Sequence, residues 1–161
     1  MSEEIRSESV IKVHAFDALD KDTQQLVRMA EEAAKTAYAP YSNFLVGAAV
    51  VLDNGEIVKG HNQENAAYPS GLCAERVAFF AAHAQFPTAK ILKVALTAKK
   101  ATAASFQLAT PCGSCRQVMS EFEDHQKNKI TLFISDGKGK VYESASIENL
   151  LPFKFSDEYL K

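Results

Sequence analysis

Gly71-Leu72-Cys73-Ala74-Glu75-Arg76 and, further along, Thr110-Pro111-Cys112-Gly113-Ser114-Cys115-Arg116-Gln117 each open an apolar run at helical spacing. A helix is predicted from about Gly71 to Ala84. A second is predicted to start at Thr110-Pro111, where Thr serves as N-cap and Pro suits the first turn. Working outward, residues 61–71 are rich in Asn, Pro and Gly and read as a loop. Before it, Val46 to Asp53 and Glu56 to Gly60 read as two strands. They flank Asn54-Gly55, a hairpin signal that calls for positive φ at both turn positions. Further upstream, Leu26, Val27, Ala30, Ala33, Ala34 and Ala37 give a helical face capped by Asp20 or Asp22 and ended by Pro40. Downstream of Ala84, Ile91 to Ala98 and Ile130 to Ser135 read as strands. Val141 to Ser144 is expected to return antiparallel across the short Asp136–Lys140 turn. A short helix, Ile147 to Leu151, precedes a tail bearing Phe153, Phe155 and Tyr159. The pattern predicts one α/β domain, a mixed β-sheet of about five strands covered by helices, over residues 16–161. Residues 1–15 read as a loose or partly draped extension.

With 161 residues and nearly half of them apolar, the chain can bury one sizeable core. Its net charge of -2, with acids and bases mixed, gives no basic footprint for nucleic acid. The acidic start lacks the apolar stretch of a signal peptide, and no apolar run is long enough to span a bilayer. A cytoplasmic protein without nucleic-acid or membrane partners is expected. Phe79, Phe80, Phe122 and Phe133 read as core or subunit interface, and Asp22, Arg28, Glu31 and Glu32 as a solvated helix face.

The three cysteines are an awkward number for a disulfide framework. Cys112 and Cys115 at i and i+3 on a helix would put two sulfurs on one face. Both are expected in the helix's first turns, and Cys73 in the first turn of the other helix. There the positive dipole end favours thiolate. Two helix N-termini aimed at one spot would bring three thiolates to one Zn²⁺, leaving the fourth position of the tetrahedron open. Glu75 would then stand beside a metal-activated water as a proton shuttle. Arg76 is expected to hydrogen-bond the sulfurs and moderate their charge.

These two blocks resemble the zinc deaminases, whose ligand-x-Glu triplet and downstream Pro-Cys-x-x-Cys include a three-cysteine form. Cysteine at position 73 followed by Arg76 is similar to the small homotetrameric cytidine deaminases. The resemblance runs from about Lys35 to Phe155 and takes in Tyr41-Ser-Asn-Phe44-Leu-Val46-Gly-Ala-Ala and Asn62-Gln-Glu64-Asn65-Ala66. It implies one zinc per subunit and hydrolysis of free cytidine or deoxycytidine to uridine or deoxyuridine and ammonia, a step of pyrimidine salvage. Zinc-bound hydroxide would attack C4 while Glu75 shuttles the proton. It further implies that Asn62 and Glu64 bond the ribose hydroxyls, that Phe44 packs on the pyrimidine, and that backbone near Ala74 and Thr110 fixes the base. Phe155 would reach a neighbouring subunit's active site in a homotetramer. The tail reads Leu150-Leu-Pro152-Phe-Lys-Phe155-Ser-Asp, without the Gly-Pro turn common in the family.

Other readings stay open at this point. One is a related deaminase acting on another cytosine-containing nucleoside. Another is a non-catalytic module held by structural zinc, which would need a fourth ligand from His14, His61, His83 or His125. A thioredoxin-like redox pair would leave Cys73-Ala-Glu75 without a role.

Overall fold

The structure is a computed structural model that describes residues 2–160. Among these residues it contains a six-stranded sheet and three α-helices. In chain order they are β1 (Lys12–Ala15), α1 (Lys21–Ala34), β2 (Phe44–Leu52), β3 (Ile57–His61), α2 (Ala74–Gln85), β4 (Ile91–Lys100), α3 (Gly113–His125), β5 (Thr131–Ser135) and β6 (Lys140–Ser144). The strands lie in the order β1-β6-β5-β4-β2-β3. Only β4 and β5 run parallel, joined through the α3 crossover; the other pairs are antiparallel.

The sheet has one strand more than expected. The extra one is β1, whose residues are mostly exposed and show no buried alternation that a sequence pattern would reveal. It is held by pairing with β6, Lys12 opposite Glu143 through Ala15 opposite Lys140. Such a strand is a long-range product of the fold, and it takes the end of the expected loose extension into the sheet.

Two cores flank the sheet, and the period-2 alternation of β2 serves both. Ala48, Val50 and Leu52 face α2 and α3 with Phe79, Met119, Val94 and Leu96, whereas Ala49 joins α1 with Leu26, Val27, Ala30 and Ala95. The small residues of α1 serve close approach. A Cβ on Gly47 would fall 2.0 Å from the Ala30 carbonyl and 2.5 Å from the Ala34 amide. Asp20 caps α1, accepting from the Thr23 amide at 2.8 Å and its hydroxyl at 2.7 Å.

The hairpin differs from the expected turn. Gly55 has φ +87°, but Asn54 is not in the left-handed region. The Gly55 amide donates to Leu52 O and the Leu52 amide to Glu56 O, so the loop is three residues long with glycine in the left-handed position. On the other side of the core, Glu123 of α3 is 3% exposed. Its carboxylate accepts from the Ile130 amide, the Ser146 hydroxyl, and the Ile147 and Glu148 amides. These bonds fix the far half of α3 to β5 and to the 3₁₀ turn Ile147–Leu150. With that end anchored, the N-terminus of α3 is held in place.

Candidate metal centre and nucleoside site

Helices α2 and α3 start side by side, and their cysteines sit at those starts. Cys73 is the N-cap of α2, with φ -71° and ψ 155°, and Cys112 is the N-cap of α3, with φ -68° and ψ 166°. Both are extended residues outside the helix, where first-turn positions were expected; only Cys115 lies within its helix. The reason is local. Thr110 and Pro111 remain in the preceding loop, and the Thr110 hydroxyl takes a hydrogen from Arg116 at 3.4 Å instead of capping an amide.

The three sulfurs lie within 4.8 Å of one another, with Cys73 and Cys112 4.0 Å apart. Tetrahedral zinc with bonds of about 2.3 Å spaces thiolates by about 3.8 Å, so this donor set fits that ion. No disulfide joins them. Among the described residues this is the only grouping of three or more Cys, His, Asp or Glu ligand atoms of this kind. None of the four histidines belongs to it, which removes the closed four-ligand reading.

The surroundings favour thiolate and a neutral carboxyl. A hydrogen bond from Cys115 lowers Cys73 to about 5, helped by Arg76, whose Nη2 donates to the Cys73 sulfur at 3.8 Å. The same bond, burial and the Glu75 charge push the Cys115 thiol up. Glu75 is 5% exposed on the buried stripe of α2 formed with Ala74, Ala78, Phe79 and Ala82. Burial pushes its carboxyl up. The Arg76 Nε is buried and has no hydrogen-bond partner among the described residues.

Gly60 of β3, whose role no sequence motif announces, makes this arrangement possible. A Cβ there would lie 2.5 Å from the Ala78 amide and 2.6 Å from the Ala74 carbonyl. The N-terminal turn of α2 therefore rests directly on β3. A glycine inside a strand signals such close approach, and that was the available clue.

A second set of groups adjoins the cluster. Gln63 exchanges backbone hydrogen bonds of 2.8 Å in both directions with Leu72, the residue before Cys73. Its neighbours Asn62 and Glu64 both hold the segment 41–46. The Asn62 amide donates to Phe44 O and accepts from the Val46 amide, each at 2.9 Å. The Glu64 carboxylate accepts from the Tyr41 amide at 2.9 Å, from the Ser42 amide at 3.2 Å and from the Ser42 hydroxyl. The Ser42 hydrogen bond, with those two amides, holds Glu64 below the usual carboxylate range. Phe44 opens β2 opposite Lys100. Ala74 is fully buried as the first residue of α2.

Phe155 stands apart. The residue is 57% exposed, and its ring stacks on Tyr159 with centroids 5.9 Å apart. Its carbonyl accepts from Gln117 of α3 at 2.9 Å. Arg116, also missed in the sequence, bonds both Pro111 O at 2.9 Å and Leu150 O at 2.8 Å. It ties the loop before Cys112 to the start of the tail. Its place beside Cys115 was the only sequence cue.

Known proteins resemble this chain in sequence and fold. Residues 20–130 match the family described as cytidine and deoxycytidylate deaminase zinc-binding region. A cytidine deaminase of Sporosarcina psychrophila is 37% identical over 142 residues, covering 86% of this chain and 95% of that protein. The crystal structure of cytidine deaminase from Burkholderia pseudomallei superposes with a TM-score of 0.70 at 35% identity, over 85% of this chain and all of that one. The enzyme from Mycobacterium tuberculosis superposes with a TM-score of 0.64 at 34% identity, over 84% and 98% of the two chains. With three thiols gathered at two helix starts over a buried glutamate, and with these matches, the chain belongs to the zinc-dependent cytidine and deoxycytidylate deaminase family.

Proposed function

We propose that this chain converts free cytidine and deoxycytidine, with one water, to uridine or deoxyuridine and ammonia. The observation that carries the reading is the buried Glu75 carboxyl beside three sulfurs within 4.8 Å of one another. Cys73, Cys112 and Cys115 hold one zinc, and Arg76 draws charge from the Cys73 sulfur. Bound there, zinc would supply Lewis-acid polarisation of the attacking water near neutral pH. At C4 of the pyrimidine a C–O bond forms and the C–N bond breaks. Glu75 takes one proton from the attacking water and gives it to N3, then takes the second from the new C4 hydroxyl and delivers it to the departing amine, leaving a C4 carbonyl and ammonia. Its burial keeps the carboxyl ready to hold each proton between steps.

The remaining residues orient the substrate. Phe44 packs on the pyrimidine, and backbone groups at Ala74 and Thr110 fix its edge. Asn62 and Glu64 take the sugar hydroxyls. The loop 61–71 contains no Arg or Lys and no glycine-rich cradle, which favours an unphosphorylated sugar over a nucleotide. The named relatives are cytidine deaminases, in keeping with that choice. The working form is a homotetramer in which Phe155 completes a neighbour's site. The exposed apolar side chains Phe153, Phe155, Tyr159 and Leu160 support this. The enzyme serves pyrimidine salvage in the cytoplasm; no helix among the described residues is long and apolar enough to cross a membrane.

The test is a substrate profile by ultraviolet absorbance and ammonia release. Cytidine and deoxycytidine are expected to turn over well, and deoxycytidylate, cytosine and single-stranded DNA poorly. Preference for deoxycytidylate, or for another cytosine-containing nucleoside, would overturn the assignment while keeping the chemistry.

A further inference from the structure

Ser42 has no role in the mechanism above, yet its hydroxyl lies where two substrate contacts meet. It donates its one hydrogen to Glu64 Oε1 and accepts from the Phe44 amide at 3.0 Å. An ionised carboxylate offers about four lone-pair sites. Both sites on Glu64 Oε2 are taken by the Tyr41 and Ser42 amides, and one on Oε1 is taken by the Ser42 hydroxyl. One acceptor site on Oε1 is left. A carboxylate held in this way is a fixed acceptor for a single hydroxyl, not a swinging charge on a loop. Holding it beforehand lowers the ordering cost of binding.

We propose that Ser42 is a positioning residue for recognition of the sugar, fixing Glu64 so that its remaining lone pair takes one ribose hydroxyl. This rests on the reading that Glu64 binds the sugar. The segment has anchors besides the bond from the Phe44 amide to the Ser42 hydroxyl. Phe44 stays anchored by the Asn62 side chain and by its place opposite Lys100 in the sheet. Loss of the hydroxyl therefore leaves Oε2 on the Tyr41 and Ser42 amides but removes the bond that sets Oε1, while the Asn62 and sheet contacts keep the pyrimidine wall in place.

The experiment compares kcat and KM of wild type, Ser42→Ala, Ser42→Thr and Glu64→Ala on cytidine, deoxycytidine and 2′,3′-dideoxycytidine. Ser42→Ala is expected to lower kcat/KM on cytidine about tenfold, mainly through KM, in keeping with disturbing a hydrogen bond to a charged group. On dideoxycytidine, the loss is expected to shrink below about twofold, because there is no hydroxyl left to misplace. Ser42→Thr, which keeps the hydroxyl, restores the cytidine value. Ser42→Cys, of similar size but a weak donor, runs alongside and is expected to follow Ser42→Ala; it carries the comparison should the alanine variant fail to fold.

The outcomes separate the two readings. If wild type prefers cytidine over dideoxycytidine, Glu64→Ala abolishes that preference, and Ser42→Ala loses equally on every sugar or not at all, the Ser42 proposal is wrong and the Glu64 reading stands. If wild type treats cytidine and dideoxycytidine alike, the Glu64 reading fails and the proposal falls with it.

Discussion

At the start of α2 and α3 the chain buries Cys115 and Glu75, whereas at its tail it leaves Phe153, Phe155, Tyr159 and Leu160 more than half exposed. The first region is held from several sides: glycine under the helix at Gly60, backbone pairing of Gln63 with Leu72, and Glu123 anchoring the far half of α3. The tail, by contrast, is tied to α3 by single side-chain bonds, such as that from Gln117 to the Phe155 carbonyl. On the proposed reading, the difference separates the parts of the site that one chain completes by itself from the part a neighbour would add. Metal ligands and the proton shuttle need fixed geometry within fractions of an ångström, and the fold supplies it. An aromatic wall needs only a large apolar surface placed against the ligand. Another subunit can supply that, and the uncovered rings of this tail are surfaces of that kind.

The largest effect in this comparison comes from wedging the rigid region apart. Gly60→Val puts a side chain against the Ala78 amide and the Ala74 carbonyl, neither of which yields easily. It is expected to cost about 1–3 kcal/mol of stability and to reduce zinc content below one per chain. Thermal melting and metal analysis read both together. An unchanged melting temperature with full zinc would mean that the close seat of α2 on β3 does not set the metal site.

A smaller effect, of the opposite kind, is expected at the tail. Phe155→Ala should leave zinc content and monomer stability nearly unchanged, because the residue is largely exposed in the single chain. It should lower kcat/KM for cytidine about tenfold, the order expected when one aromatic ring is withdrawn from a bound base. Full activity in this variant would remove Phe155 from the site. Loss of zinc would show that the tail supports the metal region after all, and the contrast between the regions would fail.

Legibility in the sequence follows the same division. The cysteines, Glu75 and Arg76 were readable because metal chemistry restricts residue types, and the helix starts could be placed near them. Their exact stations were not, since a thiol at an N-cap breaks no propensity rule that favours Thr110 and Pro111 in that place. Strands β2 through β6 were visible as apolar runs bounded by turn signals, and β2, β4 and β5 are buried over consecutive residues. Strand β1 was not, because its mostly exposed residues gain their order from pairing with β6. Gly60, Arg116 and Ser42 were missed for a related reason. Each acts through a neighbour distant along the chain or through a specific hydrogen-bond geometry, and neither leaves a period in the sequence. The Asn54-Gly55 turn was found in place but wrong in type, because hairpin loops of two and three residues share the glycine that distinguishes them from other loops.

Glu75 is proposed to move the proton at a centre whose metal is held by Cys73, Cys112 and Cys115. This role is tested most directly by wild type and Glu75→Ala brought to the same zinc content and assayed on cytidine by ultraviolet absorbance. One zinc per chain is expected in both, with a fall in kcat of about 10²–10⁴ in the variant, the range for a lost general acid–base group. Wild-type turnover by Glu75→Ala at equal zinc would contradict it.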